Sequence, residues 1–226
     1  MNPSHAPLGP DSTLAELATR HAGASRVFHR HGLDFCCHGQ ITLGEVCARR
    51  ELALGPLLDE LARELSTPDT STRWDGKPLP ELIEHVLRDF HAAHRAELPR
   101  LLEMARKVER VHAGKPACPR DLAELLEQVG EELESHMQKE EQVLFPLILS
   151  GRGRMAAMPI QVMEEEHKDH GRNLERLRDR AHGYQPPADA CGTWRALYLG
   201  LDELEQQLMQ HIHLENNVLF PRALRS

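Results

Sequence analysis

The sequence predicts an all-α protein in which a small helical domain precedes an antiparallel four-helix bundle. Apolar residues recur at helical spacing in four long segments, roughly 80–112, 119–149, 158–181 and 193–215 with a short continuation. Short connections between helices of this length are what such a bundle requires. A polar break, STPDTSTRWDGKP from Ser66 to Pro78, separates the bundle from a shorter helix-rich region. The predicted organisation is a domain over 1–66, a linker over 67–78 and a bundle over 79–226. In the first domain, Thr13 with Glu16 and Thr42 with Glu45 match the capping box, in which hydroxyl and carboxylate satisfy each other's free amides at a helix start. In the second, Pro119, Pro159 and the stretch from Gly183 to Pro187 punctuate the helices, and Pro99 predicts a bend within the first.

Composition narrows the function. The 226 residues include 15 histidines beside only five Phe, two Trp and two Tyr, which raises a metal question. With 27 Lys and Arg against 35 Asp and Glu, the net charge of -8 argues against a protein that coats phosphate backbones, so no nucleic-acid partner is expected. The longest apolar stretch, Val143 to Leu149, is interrupted by Pro146 and is far shorter than the ~20 residues needed to span a bilayer. Met1 to Pro10 lacks the basic start and apolar run of a signal peptide, so a cytoplasmic protein without a membrane partner is expected. Cysteines 36, 37, 47, 118 and 191 contain no C-x-x-C pair, which removes the usual signals for structural zinc and attached haem. Cys47, Cys118 and Cys191 read as ordinary packed or surface thiols.

The most informative feature is an internal repeat. His136-Met-Gln-Lys-Glu140-Glu-Gln-Val143-Leu-Phe-Pro146 aligns without gaps on His211-Ile-His-Leu-Glu215-Asn-Asn-Val218-Leu-Phe-Pro221, matching at six positions with an offset of 75. Upstream, His91-Ala-Ala-His94 aligns with His167-Lys-Asp-His170 at an offset of 76. Each half of the bundle therefore reads as one H-x-x-H helix followed by one H-x-x-x-E helix, and the Val-Leu-Phe-Pro tails read as core packing that terminates the second helix of each half.

A step of four residues turns a helix by about 400°, so His136 and Glu140 share a face, as do His211 and Glu215. Adding His91 and His167 brings four imidazoles and two carboxylates to one inward region. Such a cluster without a cation carries a severe desolvation cost. Imidazole and carboxylate donors without thiolate suit iron, manganese or zinc, and a two-fold set favours two ions. If both ions are octahedral and both Glu bridge, roughly four positions stay open for a bridging oxygen and for small ligands. His94 and His170 fall on a neighbouring face, and His85, His112 and His213 read as surface or supporting residues. Glu132 and Glu166 are candidates for orienting an imidazole or relaying a proton.

These segments, with Lys107-Val-Glu-Arg-Val-His112 and Asp34-Phe-Cys-Cys37, resemble the iron-sulfur cluster repair di-iron proteins, the RIC family, from about residue 12 to Leu224. The resemblance implies a hemerythrin-like bundle holding two non-haem iron ions with an oxo or hydroxo bridge. His91, His136, Glu140, His167, His211 and Glu215 would be ligands, the two Glu as carboxylate bridges. It also implies a cytoplasmic role in restoring iron-sulfur clusters damaged by nitrosative and oxidative stress, with nitric oxide or oxygen as small ligands and damaged iron-sulfur proteins as partners. The oxygen-carrying hemerythrins use a more His-rich pattern with one Glu and one Asp, so oxygen carriage is not expected. Cys36 and Cys37, ahead of the helix capped at Thr42, read in one of two ways: as thiols with lowered pKa values that pass iron or a nitrosyl group, or as structurally buried cysteines. A nitric oxide scavenger or reductase and a di-iron sensor are the alternative readings, and the sequence leaves a homodimer open.

Overall fold

The computed structural model describes residues 8–66 and 73–226. Half of the expected linker, residues 67–72, and residues 1–7 lie outside these residues. The described residues are helical, joined by turns and a single antiparallel bridge between Thr13 and Thr42. They fall into two compact units: residues up to Pro78 together with Met209–Arg222, and Leu79–Leu208 together with Ala223–Ser226.

In the first unit, α1 (Leu14–Arg20), α2 (Ala22–Arg30), α3 (Leu43–Arg49) and α4 (Leu54–Leu65) enclose Leu14, Val27, Phe28, Phe35, Leu43 and Leu61, all buried. The Thr42 hydroxyl accepts from the Glu45 N–H and the Glu45 carboxylate accepts from the Thr42 N–H, so the capping box at α3 is complete. At α1 only one half forms, Thr13 accepting from the Glu16 N–H. Between α2 and α3 the chain folds tightly onto itself. A β-carbon on Gly39 would lie 2.3 Å from the Phe35 carbonyl oxygen and 2.8 Å from Ala15 Cβ, so only glycine fits there.

The bundle unit begins with α5 (Leu79–His85), a π-helical turn over Val86–His91 and α6 (Ala92–His112), which together fill the first predicted segment. Pro99 lies inside α6, and the helix is continuous on both sides of it. α7 (Leu122–Lys139) passes through a π-turn at Glu140–Leu144 into α8 (Phe145–Leu149), and α9 is Ala157–Arg180. The last predicted segment, of which Met209–Arg222 belongs to the first unit, repeats the second: α10 (Gly192–Leu214), a π-turn at Glu215–Leu219 and α11 (Phe220–Ala223). α10 approaches α6 closely at Gly200, where a β-carbon would lie 2.6 Å from a Leu101 methyl.

The Val-Leu-Phe-Pro tails do not end their helices, contrary to the sequence reading. Each continues through its proline, because the preceding π-turn closes with an i→i−5 hydrogen bond, Phe145 N–H to Glu140 carbonyl and Phe220 N–H to Glu215 carbonyl. The wider turn relieves the clash of a proline ring with the carbonyl four residues back, and the proline follows at the start of the new helix, where its missing N–H costs least. Nor are the tails equally core: Val143 is 51% exposed and Val218 only 2%.

Candidate metal centre

The six expected ligands are all buried, with exposures of 0–1%. Ligating atoms of His91, Glu140, His211 and Glu215 lie within 4.8 Å of one another, and so do those of His136, Glu140, His167 and Glu215. Both carboxylates therefore belong to both groups. Glu140 shows why: its Oε2 lies 3.3 Å from His91 Nε2 while its Oε1 lies 3.5 Å from His136 Nε2. On the other repeat, Glu215 Oε1 lies 3.2 Å from His211 Nε2. His136 and His167 approach Nε2 to Nε2 at 3.1 Å, close to the roughly 3 Å separating two nitrogens bound about 2.1 Å from one ion at a right angle. Such a density of buried lone pairs suits a cation, and the donor set is nitrogen and oxygen without sulfur.

The outer nitrogens of two ligands are taken. His91 Nδ1–H donates to Glu141 at 2.8 Å, and His136 Nδ1–H donates to Glu166 at 2.9 Å, which leaves each Nε2 lone pair facing the cluster. Each orienting carboxylate is itself held by a cation. Arg95 donates to Glu141 at 2.8 Å and Lys139 to Glu166 at 2.5 Å. The hydrogen bond from His136, assisted by Lys139 and opposed by partial burial, holds the Glu166 carboxyl down to about 2. Burial pushes the Glu141 carboxyl up, but the bonds from Arg95 and His91 outweigh it and leave it lowered. Both groups thus stand as ionised acceptors that aim an imidazole, rather than as proton stores at neutral pH.

Glu132, the other candidate, does not orient His136. Its carboxylate accepts from Asn173 at 2.6 Å and from Gln128 at 2.8 Å on the wall of a cleft of about 690 Å³, which also includes Lys139, Glu166 and His170. His94 and His170 are buried but fall outside both ligand groups, His170 standing edge-on to His136 with centroids 4.9 Å apart. Glu141 was not anticipated. Its signal was available in the doubled Glu140-Glu141, where the second repeat has Glu215-Asn216. His213, read as a surface or supporting residue, is fully buried. Its two ring nitrogens meet the Thr19 hydroxyl at 3.2 Å and the Phe35 carbonyl at 3.3 Å, which suits one neutral imidazole with a single N–H. Burial, partly offset by the Phe35 carbonyl, pushes its pKa down to about 4.

Cys36 matches the buried reading rather than the reactive one. Cys36 is raised well above the usual thiol range, by its hydrogen bond with Cys37, by burial and by the negative charge of Asp34, so placement ahead of a helix does not make it a ready thiolate. The Asp34 carboxylate accepts from the N–H groups of Cys36 and Cys37 at 3.1 and 2.8 Å and from His38 Nδ1–H at 2.6 Å. From the far side, Asn216 and Asn217 donate to the Cys36 carbonyl at 3.1 and 3.2 Å. Among the other three cysteines, Cys47 and Cys118 are buried and Cys191 is exposed.

Fold and donor set together define a hemerythrin-like metal-binding bundle with an appended helical unit. The description "Hemerythrin HHE cation binding domain" matches residues 82–223, and "Domain of Unknown function (DUF542)" matches residues 10–65. Relatives named iron-sulfur cluster repair protein YtfE cover nearly the whole chain. The protein from Edwardsiella ictaluri (strain 93-146) is 49% identical over 214 residues, 95% of this chain and 97% of its own. That from Cronobacter sakazakii (strain ATCC BAA-894) is 50% identical with 95% and 96% covered, and that from Escherichia coli O157:H7 is 47% identical with 95% and 97% covered. The chain belongs to the iron-sulfur cluster repair protein family. No helix among the described residues is long and apolar enough to cross a membrane.

Proposed function

We propose that the protein repairs iron-sulfur clusters damaged by nitrosative and oxidative stress in the cytoplasm, using two non-haem iron ions in its bundle. His91 and His211 would hold one ion, His136 and His167 the other, and the Glu140 and Glu215 carboxylates would bridge them. The observation that carries this reading is that both groups of converging ligand atoms share the same two glutamates. When bound, iron supplies a redox-active centre with open positions for a small ligand. The chain's own residues provide the rest. Glu141 and Glu166 fix the two imidazole tautomers, Arg95 and Lys139 keep those carboxylates in place, and the buried surroundings limit water. Cys36 and Cys37 serve as the point at which iron or a nitrosyl group passes to or from a damaged client protein.

The test is recovery of activity by a [4Fe–4S] enzyme previously inactivated with nitric oxide. Iron-loaded protein is expected to restore it and the His136→Ala variant to fail. Purified protein without iron, together with His136→Ala performing as wild type, would overturn the reading. The cleft beside Glu166 and His170 favours a second activity, capture or reduction of nitric oxide, because it brings solvent-accessible space to the residues around His136. Nitrous oxide in the headspace after mixing reduced protein with nitric oxide would mark a reductase; stoichiometric nitrosyl without it would exclude one.

A further inference from the structure

The loop between α2 and α3 gathers three further donors of a different kind. Asp34, Cys36 and Cys37 place one ligating atom each within 4.8 Å of one another. The two sulfurs are 3.8 Å apart. A cation bound to both at 2.3 Å and a tetrahedral angle separates them by about 3.8 Å. Cys36 Sγ lies 3.2 Å from Asp34 Oδ1, against about 3.6 Å for a sulfur and a carboxylate oxygen on one tetrahedral ion. At present the contact between Cys36 and Asp34 is a thiol proton donated to the carboxylate, so a proton lies along the edge that a cation would span.

The surroundings hold these donors in place. The Asp34 carboxylate is fixed by two backbone N–H groups and by His38, an arrangement that also occurs around metal-binding carboxylates. Gly39 keeps the turn closed at a point where any side chain would collide with the Phe35 carbonyl. The Cys36 carbonyl is clamped by Asn216 and Asn217, the residues directly after Glu215. Access is one-sided: Cys36 is buried, Cys37 and Asp34 are partly exposed and His38 is exposed. Three protein donors with one open side suit an ion that arrives and leaves.

We propose that Asp34, Cys36 and Cys37 form a second metal site, which takes one thiophilic divalent cation and holds it as cargo. On binding, the two thiols each surrender a proton to solvent and form metal–sulfur bonds, the Asp34 carboxylate adds a metal–oxygen bond, and no electron changes hands. Because thiolate ligands must lose their protons to bind a metal, and the neighbouring thiol, burial and Asp34 hold the Cys36 proton on, this exchange is favoured by rising pH. Only the identity of the natural cargo as Fe(II) rests on the repair reading above; the site itself rests on the loop.

Anaerobic titration of the iron-loaded full chain with Co(II) tests this. Thiolate-to-cobalt charge-transfer absorption and visible bands of tetrahedral cobalt are expected to saturate at one equivalent. Cys36→Ser and Cys37→Ser should each abolish the tetrahedral bands. Asp34→Asn keeps the oxygen that accepts the two backbone N–H groups but loses the charge, and should weaken cobalt binding tenfold or more with the bundle's iron spectrum unchanged. Cys191→Ser should titrate as wild type. Absence of thiolate bands, their full persistence in the Cys36→Ser/Cys37→Ser double variant, or unaltered affinity in Asp34→Asn would overturn the site. These outcomes are read from cobalt spectra, so they remain separable from failure of the repair assay.

Discussion

The two ligand-bearing repeats, 136–146 and 211–221, share a backbone plan and differ in what surrounds it. In both, a histidine is followed one turn later by a buried glutamate that opens a π-turn, and a proline enters the helix beyond. Where the sequences diverge, so do the neighbours. The positions after the first glutamate place Glu141 on His91 and leave Gln142 and Val143 exposed. The corresponding Asn216 and Asn217 grip the Cys36 carbonyl, Val218 is buried, and His213, where the first repeat has the exposed Gln138, reaches Thr19 and Phe35. The matched positions serve the metal, and the unmatched ones distinguish a repeat that tunes a ligand from one that holds the cysteine loop.

The largest effect should be symmetric. Glu140→Ala and Glu215→Ala each remove a donor common to both ligand groups, and each should purify with iron near zero by elemental analysis. Retention of full iron by either variant would break the equivalence of the repeats.

The next effect should be confined to the second repeat and depends on pH. His213 has a folded pKa of about 4 against 6.5 unfolded, so the unfolded chain takes up the proton first as pH falls. Its contribution is fully present above pH 6.5 and is lost progressively down to pH 4, about 3 kcal/mol in all. Urea unfolding of His213→Gln should show a flatter fall in stability across that window than wild type, alongside a loss at neutral pH from the disturbed packing. Parallel pH profiles would contradict this assignment.

The first repeat has its own signature. Glu141→Gln removes the charged acceptor on His91 and should weaken metal affinity roughly 10- to 100-fold in competition with a chelator. Asn216→Ala, at the equivalent position, should leave that affinity unchanged. Smallest is the packing difference: Val218→Ala should cost about 2 kcal/mol and Val143→Ala less than about 0.5 kcal/mol in chemical denaturation.

Much of this was legible in advance because helical spacing and an in-register repeat are geometric. The 3.6-residue period placed the long helices to within a few residues, and the offset of 75 paired His136 and Glu140 with His211 and Glu215. Less legible was anything set by neighbours distant in sequence. The π-turns were missed because proline was read as a terminator, although its recurrence six residues after each ligand glutamate marks a helix that continues. Glu132 stands four residues before His136 on the same helix, yet it is Glu166 on α9 that reaches the imidazole. The thiol pKa was misjudged because a helix start was weighed and the charge and hydrogen bonds of Asp34 and the neighbouring thiol were not.

Mössbauer spectroscopy of the isolated, iron-57-enriched protein, with a parallel iron count, reads the paired metal centre itself. Two iron ions per chain are expected, in similar nitrogen and oxygen environments and magnetically coupled as a bridged pair. A single uncoupled ion, or iron in a sulfur environment with the bundle empty, would contradict that pairing.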